Sequence, residues 1–153
     1  MHKLLTISAA AALLLAASAD GATATSYSGK TKGGNTIRFE LSGGKLSRIN
    51  TGVPTSCVET SGSGQTAAGA ELFQPPGAFA LGKTVKARAL QPAAMNQGIK
   101  ATKNYTVTTS GKAGGTISGR LAVNFSYLRP GIDIYHSYIY VCNGTTSFTA
   151  KPR

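Results

Sequence analysis

Hydrophobic and polar residues alternate along most of the chain after residue 20, in short runs separated by glycine, proline, serine and asparagine. A period of two places successive side chains on opposite faces of a sheet, and the same region lacks the 3.6-residue period of an amphipathic helix. Short strands with turn signals between them are typical of a sandwich or a barrel. We therefore predict an all-β fold, an antiparallel β-sandwich of roughly eight or nine strands, with a closed β-barrel as the alternative.

The segment 37–57 has the strongest signal for a β-hairpin. Its first arm alternates apolar and polar residues, and Gly43-Gly44 follows as a tight turn. Straight pairing across this turn would set Arg48 opposite Phe39 and turn the apolar residues of the second arm toward water. One extra residue near Ser47 and Arg48 sets Ile49 against Phe39 and Thr51 against Ile37 instead. We therefore predict a β-bulge at this point.

Two later strands follow the same alternation. Residues 84–90 direct small apolar side chains to one face and the basic pair Lys86 and Arg88 to the other. Residues 116–127 alternate without a break, which makes this the clearest strand of the chain.

Three interruptions are also predicted. Pro54 lacks a backbone N–H and should interrupt strand pairing. Segment 61–70 contains only small and polar residues and is interpreted as a surface loop. Asn143-Gly144 matches a type I′ turn between the last two strands.

Residues 1–19 have the order of a secretory signal peptide, with an apolar core at 4–15 and a small-residue cleavage site at Ala17-Ser18-Ala19. Residues 20–153 then form a single β-sandwich domain, long enough to enclose a core. No later apolar run could span a bilayer. We expect a secreted protein, extracellular, or periplasmic if the host has an outer membrane.

Cys57 and Cys142 are the only cysteines. Export would place them in a compartment where disulfides persist, so we predict a bond between them rather than two buried thiols. Closing so long a loop stabilises a fold by roughly 4 kcal/mol in the chain-entropy model.

The formal charge is +11, and it becomes +10 when Lys3 leaves with the signal peptide. Such an excess attracts an anionic envelope polymer or glycan, although it also serves solubility alone. The tightest basic group is Lys83, Lys86 and Arg88. Because the charges are spread rather than clustered, a nucleic-acid partner is not expected. The oligomeric state is left open by these patterns.

No catalytic constellation is visible. After residue 19 the chain has one histidine, His136, and few carboxylates, and it lacks the Gly-x-Ser-x-Gly elbow and the spacing of a phosphate-binding loop. Clustered metal ligands are also missing, so neither metal nor cofactor is expected. A hydrolase would need Asp133 and His136 together in a cleft. We therefore predict a non-catalytic domain.

The C-terminal strand is rich in tyrosine. If Ile139 and Val141 face the core, several ring side chains are left to share the opposite face, where they could stack on a sugar or contact a protein. The candidate binding residues are Tyr135, His136, Tyr138 and Tyr140. A protein-binding or inhibitor module built on this strand is thus the alternative function, although tyrosine also favours strands for structural reasons alone.

Three segments fit the N-glycosylation triplet. They are Asn104-Tyr105-Thr106, Asn124-Phe125-Ser126 and Asn143-Gly144-Thr145.

Several of these segments together resemble small secreted bacterial β-sandwich domains of uncharacterised function. The likeness lies in the early Tyr27-Ser28-Gly29, the hairpin that leads to Cys57, Gly77-Ala78-Phe79, the strand GGTISGRLAV, and Cys142 followed by Phe148. The resemblance implies a fold and a disulfide, and it implies no activity.

Overall fold

The protein is described by a computed structural model over residues 23–93, 99–130 and 137–153. The proposed signal peptide lies outside these ranges. The strands are β1 (Thr25–Thr31), β2 (Thr36–Ser42), β3 (Lys45–Glu59), β4 (Thr66–Phe73), β5 (Phe79–Ala80), β6 (Thr84–Pro92), β7 (Lys100–Gly111), β8 (Ile117–Pro130) and β9 (Ser137–Pro152). All pairings are antiparallel and the described residues contain no helix, which confirms the predicted fold class.

The nine strands form one sheet that folds over on itself in the manner of a sandwich. Eight of them follow the order β4-β3-β2-β1-β9-β8-β7-β6, and β5 pairs with the start of β3. The strands β4 and β7 are far apart in this order, yet the rings of Phe73 and Tyr105 meet edge to face with their centroids 5.0 Å apart. The apolar face of the sheet is therefore turned inward upon itself, and it holds the core.

Two long strands, β3 and β9, pair at one end and diverge at the other. Residues 55–59 of β3 pair with residues 140–144 of β9. Beyond this point β3 pairs through residues 45–50 with β2, whereas β9 pairs through residues 148–152 with β1. The β1–β2 hairpin thus fills the gap between the diverging halves.

We call this arrangement of β3 and β9, paired at one end and separated at the other, the fork. The disulfide lies in its paired part. Cys57 and Cys142 are directly opposite each other, with their Cα atoms 4.0 Å apart, and both are completely buried. The predicted bond is confirmed, and it joins the two strands at the place where they begin to separate.

The bulge in the first hairpin is confirmed. Glu40 pairs with Ser47 and Arg38 pairs with Asn50, so two residues of β3 face the single residue Phe39 of β2. Arg48 is one of these two, and its φ of 52° lies in the left-handed region that the first residue of a G1-type bulge adopts.

The glycine turn of the same hairpin has the predicted geometry. Gly43 and Gly44 both have positive φ, 54° and 72°, as a type I′ turn requires.

The three predicted interruptions have different outcomes. At Pro54 the pairing of β3 is interrupted along one edge, between its contacts with β2 and with β9, but the strand itself continues and pairs with β4 along the other edge. Strand β9 likewise continues through Asn143-Gly144. The predicted loop 61–70 is a loop only in its first half, because β4 begins at Thr66 and pairs with β3 from there.

Gly144 is required by the close approach of two strands and not by a turn. A Cβ atom at Gly144 would lie 2.6 Å from Thr55 Oγ1 and 2.7 Å from Pro54 O. Strands β3 and β9 thus approach so closely at the fork that a side chain does not fit there.

Candidate ligand-binding face

The strands β6 to β9 present a polar surface to solvent, formed by the side chains that point away from the core. We call this surface the outer face. Alternation creates it, because apolar residues such as Val107 and Leu121 occupy most of the inward positions and polar residues occupy most of the outward ones. Lys86 and Arg88 lie on it, as their place in the sequence pattern predicts.

A row of amide side chains crosses the outer face from strand to strand. Arg88 is opposite Asn104, Asn104 is opposite Asn124, and Asn124 is opposite Asn143. All four side chains are exposed, and Asn104 Nδ2 donates to Asn124 Oδ1 at 3.2 Å. We call the three asparagines the amide row. It offers a line of donors and acceptors that ends at a guanidinium group.

Hydroxyl groups continue this polar surface beside the amide row. Arg120 Nε donates to Thr145 Oγ1 at 2.9 Å, and Thr84 and Thr108 share a hydrogen bond of 2.9 Å between their Oγ1 atoms. A surface of amides and hydroxyls can both donate to and accept from the hydroxyl groups of a sugar.

Shallow depressions lie along the amide row. One, of about 620 Å³, is lined by Arg88 and Lys100 together with Asn124. A smaller one, of about 420 Å³, is lined by Lys86, Arg88 and Asn104. Both depressions bring a cation and an amide to the same concave surface.

The carboxylates of the described residues are all directed away from this surface. Glu59 and Glu71 are buried, and Glu40 forms an ion pair with Arg48 in the first hairpin, at 2.9 Å. Among the residues in the described ranges, no Asp or Glu therefore neutralises the cations of the outer face.

A buried ion pair lies behind this face, in the core. Lys103 Nζ donates to Glu71 Oε1 and to the Pro92 carbonyl oxygen at 2.5 Å, and it lies 5.6 Å from the centroid of the Phe125 ring. The side chains of Lys103 and Glu71 are 2% and 0% exposed. Because the pair is closed to solvent, it has no access to a substrate and serves the fold.

A tyrosine adjoins the same pair. The hydroxyl of Tyr105 donates to Gln91 Oε1 at 2.5 Å. Burial, helped by the nearby charge of Glu71, raises the pKa of Tyr105 to about 12. This tyrosine therefore stays protonated and acts as a hydrogen-bond donor in the core.

Of the two candidate tyrosines that the structure describes, Tyr138 is exposed as predicted and Tyr140 is not. Tyr140 is only 8% exposed, and its ring stacks on Tyr127 with the centroids 5.3 Å apart. Ile139 and Val141 point outward instead of into the core. The reason is the disulfide, since Cys142 must face inward and Tyr140 shares its side of the strand.

The remaining candidate binding residues from the sequence analysis lie in different places. Tyr138 is exposed near the end of β9. Tyr135, His136 and Asp133 lie outside the described residues. Lys83 is exposed in the turn before β6, and it lines neither depression named above.

Sequence reasoning missed the amide row. Its three members begin the three glycosylation triplets, and each lies at an outward position of an alternating run, so the signal was present in the sequence. What joins them is the pairing register of β7, β8 and β9, which the alternation does not determine.

The described ranges contain no group of three metal-ligating side chains, and no helix in them is long and apolar enough to cross a membrane.

Neither a protein-family model nor a curated protein matches the sequence. The resemblance to small secreted bacterial domains therefore stays a prediction.

Proposed function

We propose that this protein is a secreted, non-catalytic domain that binds an acidic glycan of the cell envelope through its outer face. The observation that carries the proposal is the amide row with Arg88 at its end. Acidic sugars present both hydroxyl groups and anions, and this surface offers a partner for each.

The spacing of the amide row supports a polymer as the ligand. Neighbouring strands lie about 4.8 Å apart, so a chain lying across the strands meets a new amide at each one. Asn104, Asn124 and Asn143 come from three adjacent strands of a rigid sheet. Such an array is organised before binding, which reduces the entropy lost on association.

The charge distribution supports an anionic ligand. Lys86, Arg88 and Lys100 line the depressions beside the amide row. The carboxylates of the described residues are buried or paired elsewhere, so the attraction is not cancelled locally. A surface that carries charges of a single sign raises the local concentration of oppositely charged ligands.

The alternative functions have less support. A protein-binding or inhibitor module would need the tyrosines of β9 to be exposed as a row. This function has less support because Tyr140 is part of the core. The hydrolase alternative depends on Asp133 and His136, which both lie outside the described residues.

The test is retention of the mature protein on immobilised polygalacturonate, compared with neutral dextran, across a series of salt concentrations. We expect binding to polygalacturonate at low salt that weakens as salt screens the charges. The variant Lys86→Gln/Arg88→Gln should bind at least fivefold more weakly. The control Lys45→Gln/Lys112→Gln has the same net charge and changes exposed lysines at the start of β3 and in the loop after β7, away from the amide row, so it should bind like the wild type.

A second pair of variants tests the amides. Asn124→Ala should weaken binding, whereas Asn50→Ala removes an exposed asparagine of β3 and should not. Retention that is independent of salt would overturn the proposal. Equal losses of binding in Lys86→Gln/Arg88→Gln and in Lys45→Gln/Lys112→Gln would also overturn it.

A further inference from the structure

The larger depression on the outer face is polar where Arg88 is opposite Asn104, and it becomes largely apolar toward Leu90 and Leu128, with Lys100 beside this second part. The same concave surface of about 620 Å³ that is lined by Arg88 and Lys100 is also lined by Leu90, Leu128 and Val141. Leu90 and Leu128 are 65% and 54% exposed. Such exposure of large apolar side chains is costly unless something covers them.

The apolar end extends without a break across neighbouring strands. Leu128 of β8 is directly opposite Ile139 of β9, and Val141 of β9 is directly opposite Val58 of β3. All four are exposed on the same face. A contiguous apolar patch bordered by polar groups marks an interaction site more often than scattered apolar residues do.

We infer that this depression takes an anionic amphiphile, an acidic sugar that carries an alkyl or acyl chain. Its acidic sugar lies against Arg88 and the amide row, and its chain lies over Leu90 and Leu128. The inference rests on the proposed function, because it uses the same outer face for the acidic sugar, and it adds a lipid-bearing ligand to it.

Charge complementarity selects this occupant over two others. A purely apolar partner would remove Arg88 and Lys100 from water without giving them an anion, which is unfavourable. A bare acidic glycan would leave Leu90 and Leu128 in contact with water. An amphiphile with both chemistries satisfies both ends of one depression.

The test compares three soluble probes, each below its critical micelle concentration, by isothermal titration. Octyl β-glucuronide has the acid and the chain, methyl β-glucuronide has the acid alone, and octyl β-glucoside has the chain alone. We expect octyl β-glucuronide to bind at least tenfold more tightly than methyl β-glucuronide, since burying two methylene groups corresponds to about this factor. It should also bind more tightly than octyl β-glucoside, because only the glucuronide has a carboxylate to pair with Arg88.

Variants assign the two parts of the ligand to the two ends of the depression. Leu90→Asn/Leu128→Asn should abolish the advantage of the octyl chain and leave the affinity for methyl β-glucuronide unchanged. Leu72→Asn is the matched control, because it removes an exposed leucine from β4, outside the depression. Arg88→Gln should weaken both glucuronides and leave octyl β-glucoside unchanged. Circular dichroism confirms that each variant is folded.

The outcomes separate this inference from the proposed function. Equal affinity for the two glucuronides, or an octyl effect that survives Leu90→Asn/Leu128→Asn, would overturn the inference and leave glycan binding intact. Binding of both octyl compounds with no effect of the acid would instead overturn the proposed function, because the cations would then have no role. Dimerisation that Leu90→Asn/Leu128→Asn abolishes, with no probe bound, would assign the patch to a second copy of the chain and overturn the inference.

Discussion

The carboxylate of Glu59 organises the loop that follows β3. It accepts hydrogen bonds from the backbone N–H and hydroxyl groups of both Ser61 and Ser63, among them the Ser63 N–H at 2.7 Å. The Ser61 hydroxyl oxygen in turn accepts from the backbone N–H of Ile139 at 3.1 Å. A single side chain thereby fixes the loop and connects it to β9.

These contacts predict a pH dependence of stability. Hydrogen bonds from the hydroxyls of Ser61 and Ser63, which outweigh the opposing effect of burial, lower the pKa of Glu59 from 4.5 to about 2. A lowered pKa in the folded state means that the carboxylate contributes stability above the unfolded pKa. That contribution should disappear as the pH falls from 4.5 toward 2.

Denaturant unfolding of the wild type and of Glu59→Gln across this pH range provides the measurement. The difference between their free energies of unfolding should be largest near pH 6 and shrink on acidification. Glu40→Gln, in the exposed ion pair with Arg48, is the control. A wild-type advantage over Glu59→Gln that does not change with pH would contradict the argument.

The direction of the tyrosines in β9 shows what a residue pattern leaves open. Residues 138–142 read as Tyr-Ile-Tyr-Val-Cys, in which both alternate sets are apolar enough for a core. Cys142 decides which of the two sets faces the core, because its bond to Cys57 is buried. Including the disulfide in the assignment would have placed Tyr140 inward from the sequence alone.

At the scale of the element, Gly144 tests the close packing of the fork between β3 and β9. A Cβ atom there would overlap Thr55 Oγ1 and the Pro54 carbonyl oxygen, at 2.6 and 2.7 Å. One of these partners is backbone, so the strands must move apart to accommodate it. We expect Gly144→Ala to lower the free energy of unfolding by about 1–3 kcal/mol, the usual cost of overpacking.

Urea unfolding of Gly144→Ala and of a control measures this effect. Gly115→Ala is suitable, because the nearest atom to its Cβ would be Lys112 O at an ordinary 3.5 Å. If both variants are equally stable, the fork is looser than its geometry indicates.

Strands were predictable where large apolar residues alternate with polar ones. The bulge at Arg48 followed from the position of Phe39 alone, because a one-residue slip moves every apolar side chain to the wrong face. By contrast, residues 66–70 of β4 are Thr-Ala-Ala-Gly-Ala, and small side chains give no alternation to detect. Backbone pairing with β3 makes that segment a strand.

At the scale of the whole molecule, the order of the strands creates the candidate site. Each asparagine of the amide row is visible in the sequence as an outward residue of its own strand. Only the registers of β7, β8 and β9 set Asn104, Asn124 and Asn143 in one line. A sequence pattern fixes which face a residue lies on, but the position along the strand depends on how the whole sheet assembles.

The ion pair between Lys103 and Glu71 joins two distant parts of that assembly. Glu71 lies on β4, at one end of the strand order, and Lys103 lies on β7, next to the other end. Their side chains are almost completely buried. Removing one partner of a buried pair leaves a charge in the core and typically costs about 3–5 kcal/mol, whereas replacing both with apolar residues is often close to neutral.

A double-mutant cycle therefore tests how the folded-over sheet is held together. We expect Lys103→Met to reduce the free energy of urea unfolding by about 3–5 kcal/mol, and Lys103→Met/Glu71→Met to recover most of this loss. Lys45→Met, at the exposed first residue of β3, should change little. If the double variant were no more stable than Lys103→Met, the loss would come from the packing of the lysine chain against Phe125 rather than from the charge left on Glu71. Recovery would show that the loss in Lys103→Met comes from the charge left on Glu71, and that apolar contacts such as Phe73 on Tyr105 can hold these two parts of the sheet together without the ion pair.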